Sequence, residues 1–597
     1  MRRSKAVVAA VAGAALFTLA ACGGGTSEEP GSSGSFSAGA LGGKDKDPTA
    51  TGPAPDVEGA QHGGEITLLA PDPDDGPTSL DPAGLWSVTD NSIAQDLLFR
   101  ALTQWRYNPD TKSYVLVPDL ATDLGTPSAD YKTWTFTLKD GIKWEDGSPV
   151  TAEQVAFGIK RSFDGETFPT GPGTAYSNPY FLGGDKYTGP YSGPANFPGV
   201  SVSGNKITLK MATPFSEMDD YASFPAIGPV PLDAKAPQYG LHPMSTGPYK
   251  IESYRPNQEL VLVPNDQWDP ATDPARHQYV DKFTFKFDQD PATTDQLVMS
   301  GNTESQTTIT SAVLSTDYQT ALKKLGPDNV MVGPQPCTGF NMPDYKKIPQ
   351  LKVRQALAFA YPYKDAWAAG GDIPGVTLAN GVTDSELGFG ILPPGMSGRV
   401  VVNPSIDGET IQYDPEHAKK LLQEAGFAPG EFEASWVYDA STPEGKAAME
   451  QVKKGYEASG FKAKAYPYTG GSLYDVWTDP DNAIHKKINI QGTAWCQDWA
   501  SGATFIPPLL ETGGAYNTGV FSEPEVDNQI KAIHSMPIDK QAAAWGALDK
   551  LIMEKYMPVI NRGYYQNIFA FGSKIGGFEN DTSTGGFPNI EDLFVKQ

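Results

Sequence analysis

The sequence predicts an α/β fold organised around a mixed, partly parallel sheet. Two patterns carry this expectation. From about residue 63 onward, short β-rich runs take turns with amphipathic helical runs, and 39% hydrophobic and 11% aromatic side chains are enough to bury a large core. A chain of 597 residues fits two to four domains, and its 63 Gly and 51 Pro imply many turns and long loops.

The elements follow in order. Residues 66–69 open the sheet, and Leu80-Asp81-Pro82 is a turn. Over 91–103 a helix would carry Ile93, Leu97, Leu98 and Ala101 on one face. Trp134, Phe136 and Leu138 alternate with Thr135, Thr137 and Lys139, a half-buried strand turned by Asp140-Gly141. Thr151 and Gln154 form a capping box ahead of Val155, Ile159 and Phe163. Residues 206–211, 259–263 and 283–287 read as strands. Asp414 caps a helix with Pro415 at its first position and Gly426 at its stop; its inward face is Ala418, Leu421, Leu422 and Ala425. The chain then reads as a strand over 432–437, a helix opened by Thr442-Pro443 and ended near Gly460, and a strand over 461–466. A last helix over 539–557 turns Ala542, Trp545, Leu548 and Ile552 inward and precedes a strand at 567–571.

Charge excludes one class of partner. With 46 Lys plus Arg against 71 Asp plus Glu the formal charge is −25, and without a basic footprint no nucleic acid is expected to bind. The 6 His are His62, His242, His277, His417, His485 and His534; no two share a helical turn, so no zinc face is expected, and His417 is expected as a surface side chain. No nucleophile elbow, phosphate-cradling loop or EF-hand loop occurs. No metal or cofactor is therefore expected, and the prospect of an enzyme is lowered.

The first residues point to export. Arg2, Arg3 and Lys5 precede an apolar run over 6–19, too short to span a membrane but suited to a signal peptide over 1–21. Leu19-Ala20-Ala21-Cys22-Gly23 has the form of a bacterial lipobox, so Cys22 is expected to carry lipid on the extracytoplasmic side of the cell membrane; an ordinary signal cleaved near Ala21 is the alternative. Residues 22–62, poor in large apolar side chains, read as a flexible lipid-anchored linker. Of the 3 Cys, Cys337 and Cys496 remain in an oxidising compartment, where a disulfide is favoured over two separate buried thiols.

Several motifs then occur in a telling order: Ser79-Leu80-Asp81-Pro82, the run from Trp134 to Gly141, and Trp144-Glu145-Asp146-Gly147-Ser148-Pro149-Val150-Thr151-Ala152-Glu153-Gln154-Val155. They continue with Ser245-Thr246-Gly247-Pro248-Tyr249, Gly339-Phe340-Asn341, Val353-Arg354-Gln355-Ala356-Leu357 and Trp495-Cys496-Gln497-Asp498-Trp499. Together they resemble the extracellular solute-binding proteins, family 5, the peptide and nickel binding subunits of ABC importers. The resemblance implies a two-lobed periplasmic-binding-protein type II (class C) fold. Lobe one would comprise 63–108, 223–335 and 562–597, with an inserted domain at 109–222; lobe two would be 336–561, with crossings near 336–341 and 558–564.

The resemblance also assigns roles. Asp498 closes a W-x-x-D motif whose acid, in peptide-binding members, pairs with the ligand's α-ammonium; Trp495, Trp499 and, more loosely, Trp86 and Asn341 would line the cleft. The sequence after the acid departs from the usual Asp-Tyr-x-Asp-Pro, reading Asp-Trp-Ala-Ser. Cys337 would enter lobe two at the hinge and Cys496 would border the site, which explains how they could meet. The long Trp144 to Val155 block is expected to be structural. The implied function is that of a monomeric, non-enzymatic lipoprotein that captures a peptide by hinge closure and docks on permease subunits served by a cytoplasmic ATPase. A nickel chelate, a sugar or a peptide signal are alternatives on the same fold; a secreted hydrolase is the alternative of another class.

Overall fold

The structure is a computed structural model and describes residues 45–71, 76–194, 196–581 and 585–597. The signal peptide, Cys22 and the linker up to residue 44 lie outside the described residues. Among those described, no helix is long and apolar enough to cross a membrane.

A nine-stranded mixed sheet forms the frame. Its main strands are β1 (Glu65–Ala70), β2 (Tyr249–Arg255), β3 (Glu259–Pro264), β4 (Lys282–Phe287), β5 (Thr308–Thr310), β6 (Val330–Pro343), β7 (Ile490–Cys496) and β8 (Ile560–Phe571). They lie side by side as β7-β6-β8-β5-β1-β4-β3-β2, and the short strand Leu378–Ala379 also pairs with β8. β1 runs parallel to both β4 and β5, while the remaining pairs are antiparallel. In β4 the alternation is realised directly: Phe283, Phe285 and Phe287 are buried and the intervening Lys282, Thr284 and Lys286 are half-buried.

The two longest strands of this sheet are β6 and β8. β6 and β8 pair from Val330 opposite Ala570 to Asn341 opposite Ile560, and their register breaks between Pro334 and Thr338. Pro334 and Pro336 have no N–H to give a ladder, so the break falls where the backbone cannot bond. β8 begins at Ile560, well before the expected 567, because its first residues already pair with β6, Ile560 opposite Asn341.

The apolar interior is divided accordingly. One cluster, with Ile66, Leu97, Phe285 and Phe594, packs on β1 and β4. A second joins Trp134, Phe136, Val155 and Leu209 in the inserted region, under the four-stranded antiparallel sheet of Thr126–Pro127, Thr133–Thr137, Lys206–Lys210 and Val200–Ser203. Two more lie around Leu357 and Tyr456 and around Phe505 and Trp545.

Helix α1 (Val88–Ile93) starts earlier than the periodicity indicated, because the Ser87 side chain accepts from the Asp90 N–H and caps it. A wider turn over Ala94–Leu98 follows, and Phe99 is already extended ahead of the strand Thr103–Asn108. Helix α2 (Ala152–Arg161) has the full capping box between Thr151 and Gln154. Gln154 Oε1 also accepts from Trp144 Nε1 at 3.1 Å, and Glu145 accepts from the Ser245 N–H at 3.0 Å. The motif block is thus spent on holding the inserted region to lobe one. Asp81 is spent likewise, with both oxygens on buried Arg161 at 2.8 and 2.6 Å.

In lobe two, Asp414 caps α3 (Pro415–Glu424) by accepting from the Glu416 and His417 N–H groups. His417 is half-buried with its ring 4.4 Å from that of Phe359, not a surface side chain, because the first turn of α3 packs on that phenylalanine. The strand Glu433–Asp439, helix α4 (Pro443–Ala458) and strand Lys462–Tyr468 form a βαβ unit whose strands pair in parallel. The short helix α5 (Tyr474–Trp477) and the long α6 (Ile538–Lys555) complete the parts needed below.

The flexible linker expected over 22–62 is corrected for residues 45–62. Asp45–Lys46 adds a parallel strand beside Ser113–Pro118, and Lys46 Nζ reaches Asp219 and Asp220 at 2.7 and 2.9 Å. Val57 and Ala60 pack on the lobe-one core. Composition misleads here because a few contacts with an acidic pair and an open sheet edge offset the ordering entropy.

Candidate ligand-binding site

β7 is the edge strand of the large sheet, so one side of its backbone has no strand neighbour. Ala494 turns its N–H and C=O to that side, where both meet the Tyr474 hydroxyl, at 3.1 and 2.5 Å. By the period of two, Cys496 faces the same way. At the other edge of β7, Cys496 lies directly opposite Cys337, and the two are joined by a disulfide with S–S 1.93 Å.

Asp498 lies two residues beyond the end of this strand. Its Oδ1 accepts from Trp86 Nε1 at 2.6 Å, and its Oδ2 accepts from the Tyr176 hydroxyl. Trp86 comes from the segment before α1, Tyr176 from the inserted region and Asp498 from lobe two. Three parts of the molecule therefore meet on one carboxylate. Burial pushes that carboxyl up to about 7, against the two donors that hold it down, and no cationic side chain among the described residues counters the burial.

The carboxylate borders a cavity of about 440 Å³. Trp86, Trp495 and Tyr516 form its aromatic side: Trp86 stands edge-on to Trp495 with centroids 5.5 Å apart and to Tyr516 at 5.4 Å, while Trp495 and Tyr516 are 4.8 Å apart. Trp495 is held in place by its Nε1 donating to the Thr504 carbonyl at 2.6 Å. Ala494 and Tyr474 form the sheet-edge side.

Two expected lining residues lie elsewhere. Trp499 is buried in the core of the inserted region, its ring 4.8 Å from Tyr176 and its Nε1 donating to Glu217 Oε2 at 2.9 Å. It anchors lobe two to the insertion instead of facing the cavity, because the chain turns between Asp498 and Trp499. Asn341 lines a separate cavity of about 220 Å³. The Tyr180 hydroxyl also meets His534 Nε2 at 3.1 Å, and Ser216 Oγ donates to Gln541 Oε1 at 3.2 Å.

Sequence reasoning missed Tyr176, Tyr474 and Tyr516. They stand in or beside short helices and loops with no local pattern, and only contacts with residues distant in sequence give them a role. Among the described residues no group of three or more His, Cys, Asp or Glu is placed to hold a metal ion. What the cavity offers is a buried, uncompensated carboxylate ringed by aromatic faces, which favours a cationic group.

The model of the bacterial extracellular solute-binding proteins, family 5 Middle, matches residues 115–517. The chain belongs to this family. Its members are binding proteins, not enzymes. The Salmonella typhimurium periplasmic oligopeptide-binding protein OppA is 23% identical over 87% of this solute-binding protein and 90% of its own length. The Escherichia coli periplasmic murein peptide-binding protein MppA is 25% identical over 81% and 84%. Among solved structures, clavulanic acid biosynthesis oligopeptide binding protein 2 superposes with a TM-score of 0.77 at 21% identity, covering 94% of this chain and 99% of its own. Haemophilus influenzae OppA, in complex with RPPGFSPFR, superposes with a TM-score of 0.70 at 17% identity, covering 90% and 100%. The solute-binding protein thus has the mixed α/β, two-lobed fold of these neighbours.

Proposed function

We propose that this solute-binding protein captures a peptide between its lobes by the free amino terminus and delivers it intact to the permease subunits of an ABC importer. The observation that carries the reading is Asp498: a buried carboxylate, facing a cavity between the lobes, with two neutral donors and no cation. An α-ammonium entering that cavity supplies the missing charge. The outward N–H and C=O of Cys496 offer main-chain bonds to an extended ligand, which gives affinity without regard to side chains. Relatives named for oligopeptide and murein peptide binding support the class of solute.

In this reading lobe one is 63–108, 223–335 and 562–597, joined by the packed arm 45–62; 109–222 is the insertion and 336–561 lobe two. Cys22 bears the lipid that holds the monomer at the outer side of the membrane. Closure that brings Trp86 and Tyr176 onto Asp498 makes the docking surface for the permease. Native mass spectrometry of the purified protein, followed by calorimetry with tetra-alanine and its N-acetylated form, tests the core of this reading. A retained peptide mass and loss of binding on acetylation are expected. Equal binding of the two forms removes Asp498 as the ammonium site, and cleavage of the peptide removes the importer reading.

A further inference from the structure

We infer that Tyr474 sets the length of peptide this site takes: its hydroxyl holds the main-chain position at Ala494 that a later ligand residue would otherwise fill. The inference rests on the peptide reading above and narrows it to di- and tripeptides.

A peptide that adds to the edge of β7 bonds to every second residue of the strand, those whose N–H and C=O turn outward. By the period of two these are Gly492, Ala494 and Cys496. At Ala494 the Tyr474 hydroxyl already makes the pair of bonds, accepting from the N–H at 3.1 Å and donating to the C=O at 2.5 Å. Thr493 Oγ1 stands 2.8 Å from the same oxygen. One donor and one acceptor are what an extended ligand residue offers, so the phenol stands in for it. Burial pushes the phenol above its ordinary value, so it keeps its proton and plays both parts.

Tyr474 is held from behind. Val476, also on α5, is fully buried against Val437 and Ile488, and its carbonyl accepts from His485 Nδ1 at 2.9 Å. The Tyr474 ring stands edge-on to Trp477 with centroids 5.4 Å apart and to Tyr516 at 6.3 Å. Trp477 continues the cover along the strand: a β-carbon at Gly492 would lie 2.7 Å from its ring. The start of α5 is thus a partition, with Tyr474 and Asp475 lining the larger cavity and Leu473 and Trp477 the smaller. Cys496 is left as the outward position for a ligand.

The spacing sets the length. From Ala494 to Asp498 an extended chain spans at most about 13 Å. A peptide whose ammonium meets Asp498 bonds to Cys496 through its first residues and meets Tyr474 at about its third or fourth. A cavity of about 440 Å³ is likewise of the size that encloses a small molecule. Residues beyond the third therefore gain no strand bonds from β7.

Calorimetry with the intact protein and the series from di-alanine to penta-alanine tests this. In the wild type, affinity is expected to level off at tri-alanine, with the longer peptides no more than about threefold tighter. Tyr474→Ala frees Ala494, so tetra- and penta-alanine should gain about tenfold or more while di-alanine stays within about threefold. Tyr474→Phe keeps the ring against Trp477 and Tyr516 and loses only the hydroxyl; a smaller gain confined to the longer peptides is expected. This second variant decides the matter if the alanine variant does not fold. A wild-type affinity that climbs about tenfold or more from tri- to penta-alanine overturns the inference and leaves the peptide reading intact. So does a length profile that is the same in wild type and variants. A loss that falls equally on every length shows that Tyr474 only holds the cavity wall, and also overturns it. A wild-type protein that binds no probe overturns the peptide reading and the length limit with it.

Discussion

Trp86 and Asp498 stand 412 positions apart and share a hydrogen bond of 2.6 Å across the cleft. The bond fixes the indole so that its ring closes one side of the cavity, and it leaves the carboxylate without a counter-charge. A single contact thus joins closure of the lobes to the electrostatics of the site.

The first prediction concerns that carboxylate. Removing one member of a buried charge pair costs about 2–5 kcal/mol, so Asp498→Ala should weaken binding of a free-amine peptide by roughly 30-fold to several thousand-fold. Without ligand the sign reverses: Asp498→Asn removes an uncompensated buried charge and should raise the melting temperature. Calorimetry and thermal unfolding of the same preparations check both; unchanged affinity contradicts the assignment.

Affinity should also depend on pH. The Asp498 carboxyl lies near 7 in the empty protein, and an ammonium partner would lower it. The bound state therefore holds fewer protons, so affinity rises with pH up to about 7 and then levels off. It falls again once the ligand's own α-amine, at about 7.7–8.0, loses its proton. Calorimetry at pH 6 in buffers of different ionisation enthalpy should register release of close to one proton. A flat profile contradicts the coupling.

The disulfide should matter for stability. Cys337 and Cys496 close a loop with a sequence separation of 159. In the chain-entropy model such a bridge restrains the unfolded chain by about 5 kcal/mol, an upper figure. Cys337→Ser with Cys496→Ser should lower the denaturation midpoint by several degrees or more. Coincident unfolding curves in oxidised and reduced protein would refute this.

The amino-terminal arm yields a last test. Lys46 faces Asp219 and Asp220, and burial holds the Asp220 carboxyl up near 8 even with the lysine present. Lys46→Ala should destabilise the fold by roughly 1–3 kcal/mol, the lower end reflecting partial exposure of the lysine. A chain beginning at residue 63 should lose at least as much. Urea denaturation compares the three; equal midpoints would show that the arm only rests on the surface.

Local chemistry was readable in the chain wherever it is local in the molecule. The caps at Thr151 and Asp414, the alternation of β4 and the βαβ unit around α4 need only neighbours in sequence. The W-x-x-D motif located Asp498, and the same resemblance placed Cys337 beside Cys496. Of the residues around Asp498, Trp86 and Trp495 were named through the resemblance, but Tyr176, Tyr474 and Tyr516 were not readable, since they carry no periodicity or cap. Trp499 shows the converse. Adjacent to the acid in sequence, it turns into the inserted core, because one peptide step reverses the direction of a side chain.

By itself the sequence determined the α/β class and the order of elements, and singled out Asp498 just beyond β7 as a candidate, because periodicity, capping and motif spacing are properties of short stretches. Only the tertiary structure decided that residues 45–62 join the fold and that Trp86 and Tyr176 share one carboxylate. Those facts depend on burial and on charges brought together from segments hundreds of residues apart, and desolvation exists only once the lobes have met.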